Sequence, residues 1–180
     1  MTNAAGIDGE TYDAVIVGAG FAGLYTLHML RQRGKRARVI EAASDVGGTW
    51  YWNRYPGARC DVVSVDYSFS FSDEIQQEWN WTEKYAAQPE ILGYAKFVAD
   101  KLDLKRDIAF DTRVESMVYD DEKASWTVTT SKGERLTAAS CIMATGCLSI
   151  PKEPDIPGLK DFEGPVYFTS RWISSEKEKE

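Results

Sequence analysis

The sequence predicts an α/β protein organised around a strand, helix, strand unit, and three observations support this prediction. An apolar run of strand type, residues 12–17, leads directly into the turn G-x-G-x-x-G formed by Gly18, Gly20 and Gly23. A segment with helical periodicity follows, and a second apolar run ends in Glu41. Glycine turns of this length also occur by chance in loops, but the complete pattern of strand, turn, helix and acid is typical of a Rossmann-like dinucleotide-binding fold.

The residues of the turn indicate where a dinucleotide would bind. Gly18 permits the tight turn, Gly20 lets the backbone approach a pyrophosphate, and Gly23 lets the helix pack closely on the strand. Phe21 lies within the turn, and the segment from Gly23 to Arg33 is predicted to form a helix whose free N–H groups favour a negatively charged ligand. Glu41 is placed to accept hydrogen bonds from the ribose hydroxyls of an adenosine, and its charge would repel a 2′-phosphate. We therefore expect these five residues to bind FAD or NAD in preference to NADP.

The composition is that of one globular domain. The 180 residues are 43% hydrophobic and 12% aromatic, which excludes a disordered chain. The net charge of −7 argues against nucleic acid or an anionic membrane as a partner, because both attract cationic surfaces. No apolar run approaches the roughly 18 residues that span a bilayer, and the first ten residues lack the pattern of a secretory signal. We therefore expect a cytoplasmic protein.

Cysteine and histidine residues are few. Cys60, Cys141 and Cys147 include no C-x-x-C pair, and we expect them to be reduced thiols. His28 is the single histidine and lies within the predicted first helix, where we expect a helix-face residue rather than a base or a ligand. No metal site is predicted.

The domain is predicted to span residues 11–150, after a disordered lead-in over residues 1–10. Residues 44–60 are rich in glycine and aromatic residues and are predicted to form a loop rather than a regular element. The six aromatic residues within 64–85 indicate a helical insertion with its own core, which we favour over direct contact with a substrate. A helix is predicted over 89–102. Short strands are predicted over 108–110, 113–119, 125–130 and 134–138, as a small antiparallel meander.

The last predicted strand, residues 139–144, is expected to be buried and ends in Thr145 and Gly146. A small residue followed by glycine leaves bare backbone at the carboxyl edge of the sheet, where cofactors bind in doubly wound folds. Residues 151–173 contain repeated proline and glycine and are predicted to form a surface linker. Residues 174–180 are entirely polar and are predicted to be a disordered tail.

A second pattern of high specificity lies at residues 47–61, with the sequence GGTWYWNRYPGARCD. It closely resembles the flavin loop of Baeyer–Villiger monooxygenases, the flavoproteins that convert ketones to esters or lactones. The resemblance extends through YSFSF at 67–71, QEWNWTE at 77–83, QPEI at 88–91 and IMATGCLS at 142–149. It covers nearly the whole chain from Tyr12 to Trp172.

The resemblance implies a role for each matching residue. Gly18, Gly20 and Gly23 would hold the FAD pyrophosphate, and Glu41 would hold the adenosine ribose. Asp61 resembles a catalytic acid near the isoalloxazine ring, where it would tune an arginine that family members carry further along the chain. The further cofactor contacts implied are Gly48, Thr49 and Trp50 beside the pyrophosphate and flavin, the backbone of Val114 at the adenine, and Ala144, Thr145 and Gly146 as a second glycine-containing contact.

The activity implied by the resemblance is that of a FAD-dependent monooxygenase that uses NADPH and oxygen to convert a ketone to an ester or lactone. The arginine partner of Asp61 is not identifiable in these 180 residues. Which ketone would be oxidised is not indicated by the sequence.

The chain also departs from the family pattern. Family members carry the fingerprint F-x-G-x-x-x-H-x-x-x-W, and Phe168 stands here at the histidine position, where its ring cannot form a histidine's hydrogen bonds. Family members continue into an NADPH-binding domain with a second glycine fingerprint, which does not occur after Gly23. We therefore expect a truncated enzyme whose residues 151–173 lead toward an absent NADPH domain, which a second polypeptide would have to supply.

Two other interpretations remain open. The first is a non-catalytic FAD-binding remnant or subunit whose sheet keeps an open apolar edge, and we favour it for the isolated chain on physical grounds. The second is an electron-transfer or disulfide-type flavoprotein. That class would need a redox-active cysteine pair close in sequence, which the three cysteines do not supply.

Overall fold

A computed structural model describes residues 6–169 and residue 172 of the chain. Strand β1 (Thr11–Val17), helix α1 (Phe21–Gln32) and strand β2 (Ala37–Ile40) form the predicted strand, helix, strand unit. β1 and β2 pair in parallel. Leu24 and Leu27 of α1 are fully buried against the apolar side chains of both strands, so the helix covers one face of the sheet.

The rest of the sheet is a mixture of parallel and antiparallel strands. Its other described strands are β3 (Ile108–Ala109), β4 (Val114–Asp120), β5 (Ser125–Thr130) and β6 (Arg135–Met143). The described strands lie in the order β3-β2-β1-β6-β5-β4. β3, β2, β1 and β6 are parallel, β5 is antiparallel to β6, and β4 is antiparallel to β5. The predicted α/β fold with an antiparallel meander is confirmed.

The prediction of two separate strands over 134–138 and 139–144 is wrong, because one strand, β6, runs through both segments. β5 pairs with β6 only as far as Ala138, whereas β1 pairs with it from Thr137 to Met143. The second half of β6 is also less buried than predicted, and Met143 is 57% exposed. The end of the pairing with β5 explains this exposure, because β6 then has a described neighbour on one side only.

The prediction that residues 108–110 belong to the meander is also wrong. β3 pairs in parallel with β2 at the opposite edge of the sheet. A helix, α4 (Gln88–Lys101), precedes it and was predicted over nearly the same residues. Because the helix carries the chain back along the sheet, the strand that follows enters in parallel.

The structure corrects the predicted lead-in and adds a helix to the predicted loop. Ile7 is buried, and the N–H of Gly9 donates to the carbonyl of Arg135, so a disordered lead-in is wrong for these two residues. Residues 1–5 of the predicted lead-in lie outside the described residues. A short helix, α2 (Thr49–Trp52), lies within the loop predicted over 44–60. The linker predicted over 151–173 includes a 3-10 turn at Leu159–Asp161, and the tail over 174–180 lies outside the described residues.

The aromatic insertion forms a second core, as favoured from the sequence. It includes helix α3 (Asp73–Glu78) and packs on α4. Phe21, at the start of α1, contacts both this core and the core beneath the sheet, so it fixes the insertion against α1. Around buried Ile75 and Tyr94, the insertion places Phe69, Phe71, Trp79 and Trp81.

Candidate functional site

The carboxyl ends of β1, β2 and β6 open into a cavity of about 760 Å³. This volume lies within the range of small-molecule sites. Gly23 and Asp61 lie outside its wall, and all the other predicted cofactor residues lie on it. These wall residues are Gly18, Gly20, Phe21, Glu41, Gly48, Thr49, Trp50, Val114, Ala144, Thr145 and Gly146.

Gly18 and Gly23 form the turn that opens the cavity. Gly18 has a φ of +104°, and an added Cβ would lie 2.6 Å from the carbonyl oxygen of Ala144. A Cβ on Gly23 would lie only 1.9 Å from the carbonyl oxygen of Gly18. Gly23 therefore acts by letting α1 approach the turn, which is the packing role that the sequence pattern predicts for the third glycine.

Gly20 and Gly48 bring two loops into contact at the start of α1. Gly48 has a φ of +55°, and its added Cβ would lie 2.9 Å from the Cα of Gly20. Gly20 is the N-cap of α1, where no side chain caps the helix and no acidic residue occupies the first turn. The free N–H groups and the positive end of the helix dipole therefore favour an anion at this wall of the cavity.

Glu41 is buried at the end of β2, with only 6% of its surface exposed. Its Oε2 accepts a hydrogen bond from the N–H of Ala19 at 2.5 Å, and its Oε1 accepts one from the N–H of Ala43 at 2.7 Å. A carboxylate has about four acceptor positions, so further donors can still bind from the cavity. Sequence reasoning predicted the ribose contact but missed that Glu41 also fastens the glycine turn.

Tyr67 lies on the cavity wall and was missed as a site residue. Its ring makes edge-to-face contacts with Phe21 and Trp50, each with ring centroids 5.7 Å apart. Burial raises the pKa of Tyr67, and the nearby Cys60 and Asp61 raise it further. The phenol therefore stays protonated near neutral pH and presents a donor to its surroundings. The sequence signal that could have identified Tyr67 as a site residue is its position in an aromatic-rich segment.

Asp61 is exposed and does not lie on the cavity wall. It influences the pKa of Tyr67, which does lie on the wall, so its carboxylate is near the cavity without lining it. The catalytic role predicted for Asp61 stays a prediction. The described residues of the fingerprint-like segment, 162–169 and 172, likewise do not lie on the cavity wall, and the ring centroids of Tyr167 and Trp172 lie 5.5 Å apart.

The start of β4 supplies wall residues that sequence reasoning did not identify. The pairing of β4 with β5 shifts register between Val114 and Ser116, which indicates a β-bulge. Bulges redirect side chains and are frequent beside functional sites. A single sequence carries no signal for this bulge. The wall residues around it are Thr112, Arg113, Glu115, Ser116 and Met117.

His28 occupies the helix-face position that was predicted. Its ring stacks on Phe71 with centroids 4.6 Å apart, and burial lowers its pKa.

Cys60 is buried, Cys141 is half-buried, Cys147 is exposed, and all three are free thiols. Among the helices that the structure describes, none has the length and apolar character needed to cross a bilayer.

Comparison with known proteins identifies the relatives of this chain. The family described as “Pyridine nucleotide-disulphide oxidoreductase” matches residues 15–179. The acetone monooxygenase (methyl acetate-forming) of Gordonia sp. (strain TY-5) is 44% identical over 162 residues, which are 90% of this chain and 30% of that protein. A Baeyer-Villiger monooxygenase of Pseudooceanicola batsensis is 45% identical over 165 residues, or 91% of this chain and 30% of that protein.

A solved structure shows the same fold. The oxidized steroid monooxygenase bound to NADP is 57% identical, with a TM-score of 0.83, and the match covers 91% of this chain and 32% of that one. The chain therefore spans about 30% of the length of the relatives that it matches.

Proposed function

This chain belongs to the pyridine nucleotide-disulphide oxidoreductase family, and from that premise we propose that it is the N-terminal FAD-binding part of a Baeyer–Villiger monooxygenase. The observation that carries the proposal is the contact of Gly20 with Gly48 beside the uncapped start of α1. The names of the relatives favour a monooxygenase over a disulfide reductase. The three free cysteines favour the same choice, because a disulfide reductase needs a cysteine pair.

The cavity wall suits FAD in charge and in its bare backbone. A dinucleotide needs bare backbone beside its pyrophosphate, and Gly18, Gly20 and Gly48 present such backbone on the wall. The positive end of α1 would compensate the phosphate charge. Glu41 would accept hydrogen bonds from the ribose hydroxyls, and the backbone of Val114 would meet the adenine.

Bound FAD would supply the electron transfer and oxygen activation that conversion of a ketone to an ester requires. The residues of this chain would bind and orient it. The N–H groups of α1 would hold the pyrophosphate, and Trp50 and Tyr67 would shield the flavin side of the cavity from water. The carboxylate of Asp61, near Tyr67, would add a negative charge beside the cofactor site.

The remaining parts of the proposed activity lie outside these residues. We propose that the nicotinamide cofactor is NADPH and that the substrate is a ketone. The NADPH-binding part would come from sequence beyond these 180 residues or from a second polypeptide. Glu41 would repel a 2′-phosphate, so NADPH would not use the cavity described above.

A binding experiment on the purified 180-residue chain tests the FAD proposal. FAD is added, excess FAD is removed by gel filtration, and the retained flavin is measured from its absorption bands at roughly 370 and 450 nm. We expect about one FAD to be retained per chain. ADP-ribose is expected to compete for the site at least about tenfold better than its 2′-phosphorylated form, since Glu41 opposes the added charge. Folded protein that retains no flavin would overturn the proposal.

A further inference from the structure

Helix α2 is too short to satisfy all of its own backbone carbonyls. Its four residues, Thr49–Trp52, include part of the predicted cofactor loop. The last four carbonyls of any α-helix lack partners within the helix. Side chains donate to three successive carbonyls here: Asn53 to Thr49 at 2.9 Å, Gln88 to Trp50, and Arg54 to Tyr51 at 2.6 Å. The Thr49 carbonyl also accepts the backbone N–H of Asn53 at 2.9 Å, so the side chains matter most at Trp50 and Tyr51.

Gln88 differs from the other two caps because it comes from another element. Asn53 and Arg54 follow α2 directly, whereas Gln88 is the first residue of α4. Its side chain is buried, with 8% of the residue exposed, and its own N–H donates to the carbonyl of Ala58 at 2.8 Å. One residue therefore binds the loop at two points, Trp50 and Ala58.

The element that carries Gln88 is fixed in the core. Ile91, Tyr94 and Ala95 of α4 are fully buried. The next polar residue along α4, Glu90, also holds a loop, since its Oε1 accepts the N–H of Thr82 at 2.7 Å. The segment QPEI at 88–91 thus holds two loops against the core. None of the predicted FAD contacts lies in this segment, so cofactor contact does not explain this role.

A shift of α2 would change the wall of the cavity. Trp50 is buried and packs edge-to-face on Tyr67, which packs in the same way on Phe21. All three residues lie on the cavity wall. Because these rings are in mutual contact, a displacement of the Trp50 backbone would displace Tyr67 or open a gap beside it.

We propose that Gln88 is a positioning residue for the cofactor site. Its side-chain amide fixes α2 to α4 through the carbonyl of Trp50, and so sets the place of Trp50 and Tyr67 on the cavity wall. This inference rests on the proposed FAD site and deepens it. A buried carbonyl left without a donor costs free energy, so loss of the amide would release α2 rather than leave it in place.

The variant Gln88→Leu removes the donor and keeps a similar volume. The matched control is Arg54→Leu, which removes the exposed cap on the neighbouring carbonyl but no connection to α4. Hydrogen exchange of residues 49–60 is measured in the FAD-free chain, and FAD affinity is measured by titration. We expect Gln88→Leu to raise the exchange rate and the FAD dissociation constant by about tenfold or more, and Arg54→Leu to change both by less than about threefold.

A second variant, Gln88→Glu, tests the role of the donor even if Gln88→Leu fails to fold. The introduced carboxyl can donate to the Trp50 carbonyl when protonated and repels it when ionised. We expect its FAD affinity, relative to wild type at each pH, to recover as the pH is lowered. A merely structural role would leave that ratio independent of pH.

The outcomes separate this inference from the FAD proposal. Unchanged hydrogen exchange over 49–60 in folded Gln88→Leu would overturn the positioning role. If the wild-type chain itself binds no FAD, the proposed function fails, and the exchange comparison still decides whether Gln88 holds α2.

Discussion

The buried carboxylate of Glu41 accepts a hydrogen bond from the backbone N–H of Ala19, with Oε2 2.5 Å from the nitrogen. Ala19 lies between the first two glycines of the turn, so the acid at the end of β2 holds the turn at the end of β1. Its other oxygen accepts the N–H of Ala43. Glu41 therefore shapes the cavity before any ligand binds.

We expect Glu41→Gln to destabilise the FAD-free chain by about 1–3 kcal/mol. The glutamine amide carries one acceptor oxygen and an NH₂ donor, and that donor would face a backbone N–H. Urea unfolding without FAD measures the change. The control is Glu115→Gln, an exposed glutamate on the same cavity, which we expect to change stability by less than about 0.5 kcal/mol. Equal effects of the two variants would contradict this role for Glu41.

Asp45 is predicted to contribute stability that is lost in acid. It lies 2.9 Å from Lys96 and 3.5 Å from Lys105. Burial alone would raise the pKa of Asp45, but the hydrogen bonds from Lys96 and the N–H of Val46, with the charge of Lys105, hold it below its ordinary value. A lowered folded-state pKa adds stability above the unfolded value near 3.8, and this stability is lost as the pH falls through the folded value.

The test of that contribution is the free energy of unfolding of Asp45→Asn between about pH 7 and pH 2. We expect the variant to be less stable than wild type near neutrality, and the difference to shrink as the pH falls below the unfolded pKa. Asp155→Asn, at an exposed position in the linker, is expected to follow the wild-type curve. A difference for Asp45→Asn that stays constant with pH would contradict the prediction.

The three cysteines are predicted to react at different rates with iodoacetamide. Cys147 is exposed, Cys141 is half-buried with its pKa raised by burial, and Cys60 is buried. We expect alkylation in the order Cys147, Cys141, Cys60, because the exposed thiolate is the reactive form. Gly146 and Leu148 flank Cys147 and line the cavity, so FAD should slow its reaction. Peptide mass spectrometry measures the rates, and equal rates with and without FAD would contradict the protection.

Local patterns in the sequence were sufficient to predict the unit formed by β1, α1 and β2. The strand before Gly18, the helix after the glycine turn and the acid at Glu41 lie within thirty residues, so one motif specifies their arrangement. Most predicted cofactor residues also share one cavity, because the carboxyl ends of parallel strands meet at one edge of the sheet.

The features that were not predicted depend on contacts between distant segments. The sequence predicts two strands where the structure has the single strand β6. The halves of β6 have different neighbours, β5 and β1, and a single sequence does not indicate where each pairing ends. The register shift beside Val114 and the hydrogen bond from Gln88 to Trp50 are equally non-local. Buried Arg38 is a similar case: its Nε and one terminal nitrogen have no partner among the described residues, and nothing in its sequence neighbourhood indicates burial.

The FAD affinities of Gly48→Ala and Gly57→Ala test directly whether the cofactor binds where the loops of Gly20 and Gly48 meet. Both glycines have a positive φ, +55° and +80°, so an alanine at either position must adopt a backbone conformation that L residues rarely take. A Cβ on Gly48 would lie 2.9 Å from the Cα of Gly20, whereas a Cβ on Gly57 would meet no atom within 4 Å. If FAD binds where these two loops meet, Gly48→Ala should weaken binding by about tenfold or more, and Gly57→Ala should bind as wild type does. Wild-type affinity in folded Gly48→Ala would contradict the proposed site.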